Sequence, residues 1–310
     1  MFDGSNYSFT RYLSSKKSVD DRSLNKVVWE RLQSVISLEY SANPLKILEI
    51  GAGIGTMLER SLEWGLFAKA DYTAIDAMVE NIEEAKARLQ GWAYNSGYSV
   101  EQTSDNELKL SGFGRQVALN LQATDFFEFA KHGNLTSRWD LIIANAFLDL
   151  VDARKTLPIT LDLLKPNGLL YFTINFDGST VFEPQIDAEF DVVVEELYHR
   201  TMDERIIDGV MSGDSKTGRH FFQIARENRV EILESGSSDW TVFAGKSGYR
   251  EDEGYFLHFI VHTMYQALKD SSGLDQDRFK NWIDRRHSQI ENGSLVYIAH
   301  QLDFLGRKER

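Results

Sequence analysis

Residues 46–62 read KILEIGAGIGTMLERSL. An apolar, β-prone run (KILEIGA, 46–52) leads into three alternating glycines and then into a helix-forming segment, the pattern of a first strand, a tight turn and a crossover helix. In an open α/β sheet such a turn lies at the carboxyl end of the strand, where ligands bind. Gly51, Gly53 and Gly55 make G-x-G-x-G. A dinucleotide fingerprint needs G-x-G-x-x-G, which would put its third glycine at Thr56. Glu49, two residues before the first glycine, sets a carboxylate on the approach that a pyrophosphate would take. A ligand with cationic groups suits the turn better.

The rest of the chain continues the alternation. Strands are expected at 72–76, 116–124, 139–146 and 168–176, and helical spacing recurs in Val79, Ile82, Ala85, Leu89 and Trp92 and again in Leu157, Leu161 and Leu164. Strands alternating with helices at this spacing predict a parallel sheet wound on both faces. SLVYIAHQLDFLG (294–306) predicts a final strand paired with 230–244, and 97–115 a small polar hairpin. The expected fold is thus α/β, doubly wound, with a mostly parallel seven-stranded sheet and an antiparallel final strand. One domain fills 1–310: a helical N-terminal cap (1–44), a cofactor-binding core (45–177), a lid insertion (178–217) and C-terminal strands (218–310) with a helical excursion at 245–293. In the cap, Leu24, Val28, Leu32 and Val35 mark an amphipathic helix that Asp20 or Asp21 could cap.

Composition narrows the function. Of 310 residues, 34 are Lys or Arg and 47 Asp or Glu, a net charge of −13, and the basic residues are scattered. Nucleic acid and anionic membrane are therefore not expected partners. The absence of cysteine excludes disulfides, thiolate catalysis and cysteine-ligated zinc. No run approaches a membrane span and the N-terminus lacks an apolar signal core, so a soluble cytoplasmic protein is expected. His258 and His262 share a helix face in HFIVH, but Phe259 stands where a zinc protease motif carries its general-base Glu, and no metal is expected.

Glu49-Ile50-Gly51-Ala52-Gly53-Ile54-Gly55 resembles motif I of the class I S-adenosylmethionine-dependent methyltransferases. The resemblance implies S-adenosylmethionine as cofactor, with its amino-acid end against Glu49, Gly51, Ala52, Gly53 and Gly55. It also implies that Asp76, followed by Ala77, accepts from both ribose hydroxyls, and that Asp125, with Phe126, accepts from the adenine amino group. Helix capping is an alternative role for both acids. IIANAFLDL (142–150) resembles motif IV, with Asn145 near the cofactor methionine. It lacks the N/D-P-P-Y form used on planar nitrogens, which argues against base or glutamine methylation. Arg22, on the leading helix, is a candidate partner for the cofactor carboxylate.

The function that follows is methyl transfer by in-line displacement to a small-molecule acceptor. The alternatives are a nicotinamide-dependent oxidoreductase, a protein methyltransferase and a non-catalytic binding module. If the acceptor must lose a proton, His199, His220, Asp149 and Glu183 are candidate bases, and His220, His258 and His199 are the expected catalytic set. At least two of His199, Arg219, His220 and His258 are expected to face the space above Asn145, among walls from Phe182, Phe221, Phe256, Phe259, Met264 and Trp282.

Overall fold

The computed structural model describes residues 7–40, 43–131, 135–207 and 209–309. Parts of the expected cap (1–6 and 41–42) lie outside these. Two helices, α1 (Phe9–Ser23) and α2 (Lys26–Glu39), precede the first strand. The cap of α2 is Asn25, whose side chain accepts from Val27 N and Val28 N, while Asp20 and Asp21 lie inside α1 and cap nothing. The core then runs β1 (Leu45–Ile50), α3 (Thr56–Glu63), β2 (Lys69–Asp76), α4 (Val79–Asn95), the strands β3 (Ser99–Ser104) and β4 (Glu107–Gly112), β5 (Arg115–Ala123), α5 (Phe126–Ala130), β6 (Trp139–Asn145), α6 (Ala153–Leu163) and β7 (Leu164–Glu183). Beyond it lie α7 (Ala188–Asp203), the short pair β8 (Ile206–Ile207) and β9 (Val210–Met211), α8 (Thr217–Glu227), β10 (Val230–Ser237), β11 (Trp240–Phe243), α9 (Glu253–Leu268), α10 (Gln276–Glu291) and β12 (Val296–Lys308).

The sheet order is β10-β12-β7-β6-β1-β2-β5-β4-β3. From β7 through β6, β1 and β2 to β5 every pairing is parallel, and β12 runs antiparallel to β7. The strands from β10 to β5 are the seven expected. The hairpin expected over 97–115 is β3 and β4, which extend the sheet antiparallel beyond β5, and β11 pairs with β12. The segment expected as one strand over 230–244 is therefore two, β10 and β11, because the chain breaks at Ser238 and Asp239, where Asp239 accepts from His300 and from Gln301 N. β7 also runs to Glu183, so the first residues assigned to a lid are sheet, paired in register with Val296–Ala299 of β12.

Two apolar layers sandwich the sheet. One gathers α1, α2, α4, α9 and α10 on one face through residues such as Val28, Leu32, Leu89, Phe256 and Trp282. The other gathers α5, α6 and α8 through Phe126, Leu157 and Phe221. Fully burying a large apolar side chain contributes roughly 1.5–3 kcal/mol, so these layers fix the sheet on which the site stands. Strand order reverses at β1, with β2 on one side and β6 on the other. The cleft beyond the carboxyl ends of these strands is the expected ligand position.

Candidate active site

The turn after β1 is held open by backbone geometry. Gly51, Gly53 and Gly55 have φ of 66°, 54° and 82°, left-handed values that strain any residue with a Cβ. A Cβ on Gly53 would lie 3.2 Å from Leu13 Cδ1 of α1, and one on Gly55 2.8 Å from Leu89 Cδ1 of α4. These glycines admit close helix packing as well as a ligand. Asp76 braces the turn: its Oδ2 accepts from Gly53 N at 2.8 Å, and its Oδ1 from Met78 N at 2.9 Å and Asn81 Nδ2 at 3.0 Å.

A cavity of about 390 Å³ opens above this turn. Its floor is Glu49, Gly51, Ala52 and Gly53 from β1 and its turn, Asp76 and Asn145 from neighbouring strand ends, and Asn81 from α4. Helix α1 forms the roof through Tyr12, Leu13, Lys16 and Asp20, residues at helical spacing on one face. The far wall is aromatic, with Phe176, Tyr198, Trp240, Phe259 and Tyr297. Tyr12 stacks on Phe259 at 4.1 Å between ring centroids, joining roof to wall. Arg22 and Ser18 of α1 both donate to Glu253 Oε1, which ties α1 to α9.

Electrostatics within the cavity are uneven. Burial pushes the Glu49 carboxyl up to about 7, opposed by the Tyr72 hydroxyl donating to Oε2 at 2.6 Å and by the Arg60 charge. Lys16 Nζ meets Asp20 Oδ2 at 2.6 Å in a buried ion pair, and Trp240 Nε1 donates to Asp20 Oδ1 at 2.9 Å. Asp149 lies in the short turn after β6. Burial raises its pKa, and its Oδ1 has no hydrogen-bond partner among the described residues.

Of the expected cofactor residues, Glu49, Gly51, Ala52, Gly53, Asp76 and Asn145 line this cavity. Gly55 sits behind the turn against Leu89. Ala77 and Asp125, just beyond the paired ends Asp76 and Ala123 of β2 and β5, are exposed and outside the cavity lining. There Asp125 caps α5, Oδ1 accepting from Phe127 N and Glu128 N, and Phe126 is buried. Arg22 is engaged by Glu253 and does not reach the cavity.

The expected catalytic set lies outside the lining of this cavity. His220 is bound to Asp214 Oδ2 at 2.6 Å on the exposed face of α8, and His258 to His287 between α9 and α10, with Nδ1 atoms 2.8 Å apart. Arg219 is paired with Asp177. His199 stands behind the wall, its Nε2 3.0 Å from Thr180 Oγ1, and burial lowers its pKa. Glu183 ends β7 and is likewise outside the lining, and of the six apolar residues expected there only Phe259 contributes. The residues in their place, Tyr12, Lys16 and Asp20 of α1, Asn81, Tyr198, Arg205, Trp240 and Tyr297, escaped the sequence reading. Only the i, i+4, i+8 spacing of Tyr12, Lys16 and Asp20 could have signalled any of them.

The residues fit S-adenosylmethionine on one specific count. Three of the roughly four acceptor positions of the Asp76 carboxylate are taken, leaving about one. Beside it Asn81, oriented by donating to Asp76, has a buried Oδ1 with no partner among the described residues. The pair offers two acceptors, one from each residue, for a vicinal diol.

The methyltransferase-domain family matches residues 25–201. No curated protein matches the chain significantly. Among solved structures, a candidate type II methyltransferase from Anaeromyxobacter dehalogenans is 13% identical, with 93% of this chain and 98% of that one covered and a TM-score of 0.48. A candidate sarcosine dimethylglycine methyltransferase from Galdieria sulphuraria is 15% identical over 91% and 85%, with a TM-score of 0.42. Geranyl diphosphate C-methyltransferase from Streptomyces coelicolor A3(2) is 8% identical over 90% and 77%, at 0.43. The family assignment rests on the domain match, which spans more than half of the chain. Among the described residues no helix is long and apolar enough to cross a membrane.

Proposed function

The chain belongs to the methyltransferase-domain family, whose cofactor is S-adenosylmethionine, and we propose that it methylates a small molecule held under α1. When bound, the cofactor supplies a methyl carbon already activated by a sulfonium. The protein's part is then to align acceptor and methyl in line and to exclude water. The turn at Gly51 to Gly55 gives backbone for the amino-acid end, Glu49 gives a carboxylate for its cationic groups, and Asp76 with Asn81 gives acceptors for the ribose. Tyr12, Phe176, Phe259 and Trp240 provide aromatic walls around this polar floor, the combination that small-molecule sites use.

The observation that carries this reading is that the glycine turn and the aromatic wall line one cavity roofed by α1. An open surface would suit a protein acceptor; an enclosed one suits a metabolite. The test is titration calorimetry with S-adenosylhomocysteine and, separately, NADH. The expected result is saturable binding of the first and none of the second. Tight NADH binding without S-adenosylhomocysteine binding would overturn the reading.

A further inference from the structure

Six charged residues line the cavity: Lys16, Asp20, Glu49, Asp76, Asp149 and Arg205. Four have protein partners. Lys16 and Asp20 hold each other, Tyr72 donates to Glu49, and Asp76 accepts three hydrogen bonds. Asp149 and Arg205 differ. Among the described residues Asp149 Oδ1 is buried without a partner, whereas the half-buried Arg205 makes no ion pair or guanidinium hydrogen bond but has no nitrogen sealed from solvent. They do not pair with each other either, although Arg205 is the leading charge acting on Asp149, ahead of Lys16 and the opposing Asp214.

Their separation is fixed by the fold. Asp149 sits in the turn Leu148–Leu150, four residues beyond Asn145, and Arg205 in the link between α7 and β8. Ser212 clasps both segments, its Oγ donating to Leu150 O at 2.9 Å and its N to Arg205 O at 2.8 Å. Tyr198, under the influence of both charges, lies in the same wall. Two opposite charges on neighbouring segments stand unpaired in a cavity whose other four charged residues have partners, and the buried Asp149 Oδ1 carries an uncompensated desolvation cost until a donor reaches it. A ligand with one charge would engage only one of them.

On the reading that this cavity carries out methyl transfer, we propose that the acceptor is a small zwitterion of the amino-acid class, its amine turned to Asp149 and its carboxylate to Arg205. Arg205 can grip the carboxylate with two parallel N–H donors. The amine arrives as an ammonium and gives one proton to the Asp149 carboxylate. Its freed lone pair then forms the N–C bond to the methyl carbon as the C–S bond breaks, that electron pair remaining on sulfur. The products are a methylammonium, S-adenosylhomocysteine and a protonated Asp149, which returns its proton to solvent. Burial raises the pKa of Asp149, which makes it a better proton acceptor than an exposed aspartate.

The test is titration calorimetry on the full chain saturated with S-adenosylhomocysteine, using two matched trios. One is L-leucine, 3-methylbutylamine and 4-methylpentanoate; the other is L-phenylalanine, phenethylamine and 3-phenylpropionate. In at least one trio the amino acid should bind tenfold or more tightly than both analogues. Arg205→Met should abolish its advantage over the amine, and Asp149→Asn its advantage over the acid, with S-adenosylhomocysteine affinity within twofold of the parent protein. The proposal is overturned if neither amino acid outbinds both analogues, a comparison that needs only the unmutated protein, or if its advantage survives both substitutions. Failure of the methyltransferase reading appears earlier and separately, as absence of S-adenosylhomocysteine binding.

Discussion

Gly53 N donates to Asp76 Oδ2 at 2.8 Å, so the glycine turn that follows β1 and the acid that ends β2 are one mechanical unit. Removing the carboxylate should therefore damage the turn as well as the ribose contact. Asp76→Ala leaves the Gly53 and Met78 N–H groups unpaired, each at a cost of about 1–3 kcal/mol. Thermal melting should show a clear loss of stability, and calorimetry a loss of S-adenosylhomocysteine affinity greater than tenfold. Unchanged affinity would place the cofactor elsewhere.

Asn81 should contribute less, and only through the ribose. Asn81→Leu removes the unpartnered Oδ1 and one donor to Asp76. A neutral hydrogen bond contributes about 0.5–1.5 kcal/mol, so a three- to tenfold weakening of S-adenosylhomocysteine binding is expected. The same substitution should leave the affinity for a 2′,3′-dideoxy analogue unaltered. An equal loss with both ligands would remove Asn81 from the ribose site.

At Gly53 the first obstacle to a side chain is helix α1. With φ at 54° and a Cβ position 3.2 Å from Leu13 Cδ1, Gly53→Val combines backbone strain with a clash against the roof. The expected cost is about 1–3 kcal/mol of stability, with loss of S-adenosylhomocysteine binding. Adding Leu13→Ala should recover part of the stability by making room, which urea denaturation can measure. No recovery would mean that strain in the turn, rather than contact with α1, accounts for the whole effect.

Glu49 should couple both stability and binding to pH. Its carboxyl is pushed from an ordinary 4.5 up to about 7 in the folded protein. Its contribution to stability is thus fully present below pH 4.5 and is lost as pH rises through 7, by at most roughly 3 kcal/mol. Glu49→Gln should remove that slope from urea denaturation curves. Cationic groups of S-adenosylmethionine favour the ionised form, so affinity should rise with pH through about 7, with proton release detectable by calorimetry in buffers of different ionisation enthalpy. A flat profile in the parent protein would dissociate Glu49 from the cofactor.

The elements readable from sequence are those governed by local rules. β1 and its turn, β2, β5 and β6 announce themselves by apolar runs, and the glycine turn by a conformation that only glycine adopts without strain. The floor of the site followed from that reading because strand ends position it. The roof and walls did not. Tyr12, Trp240 and Tyr297 meet over the floor only because α1, β11 and β12 are far apart in sequence and adjacent in space, and pattern alone cannot distinguish a cavity-lining aromatic from a core one. That the expected histidines lie outside the cavity has a related reason: a chemically capable side chain gives no local sign of which way its element faces. β10 and β11 read as one strand because the interruption depends on a long-range partner, His300 meeting Asp239 at 2.7 Å.

The Lys16–Asp20 pair provides a last test, of whether the roof is held by charge. Both side chains are almost fully buried, at 8% and 3% exposure, and Asp20 also takes the Trp240 indole N–H and lies 3.5 Å from Arg60. A buried pair contributes little net stability against its desolvation, but removing one partner strands the other, at about 3–5 kcal/mol. Arg60 softens that penalty for Asp20, so Lys16→Met should cost less than the full amount. Asp20→Leu should cost more, because it strands Lys16 and Trp240 Nε1 together. The double variant should be more stable than the sum of the two losses predicts, with a coupling of about 1–3 kcal/mol in a double-mutant cycle by urea denaturation. Strict additivity would show that the two charges act independently and that α1 is fastened by its other contacts, the aromatic stacking and the Arg22 and Ser18 bonds to Glu253.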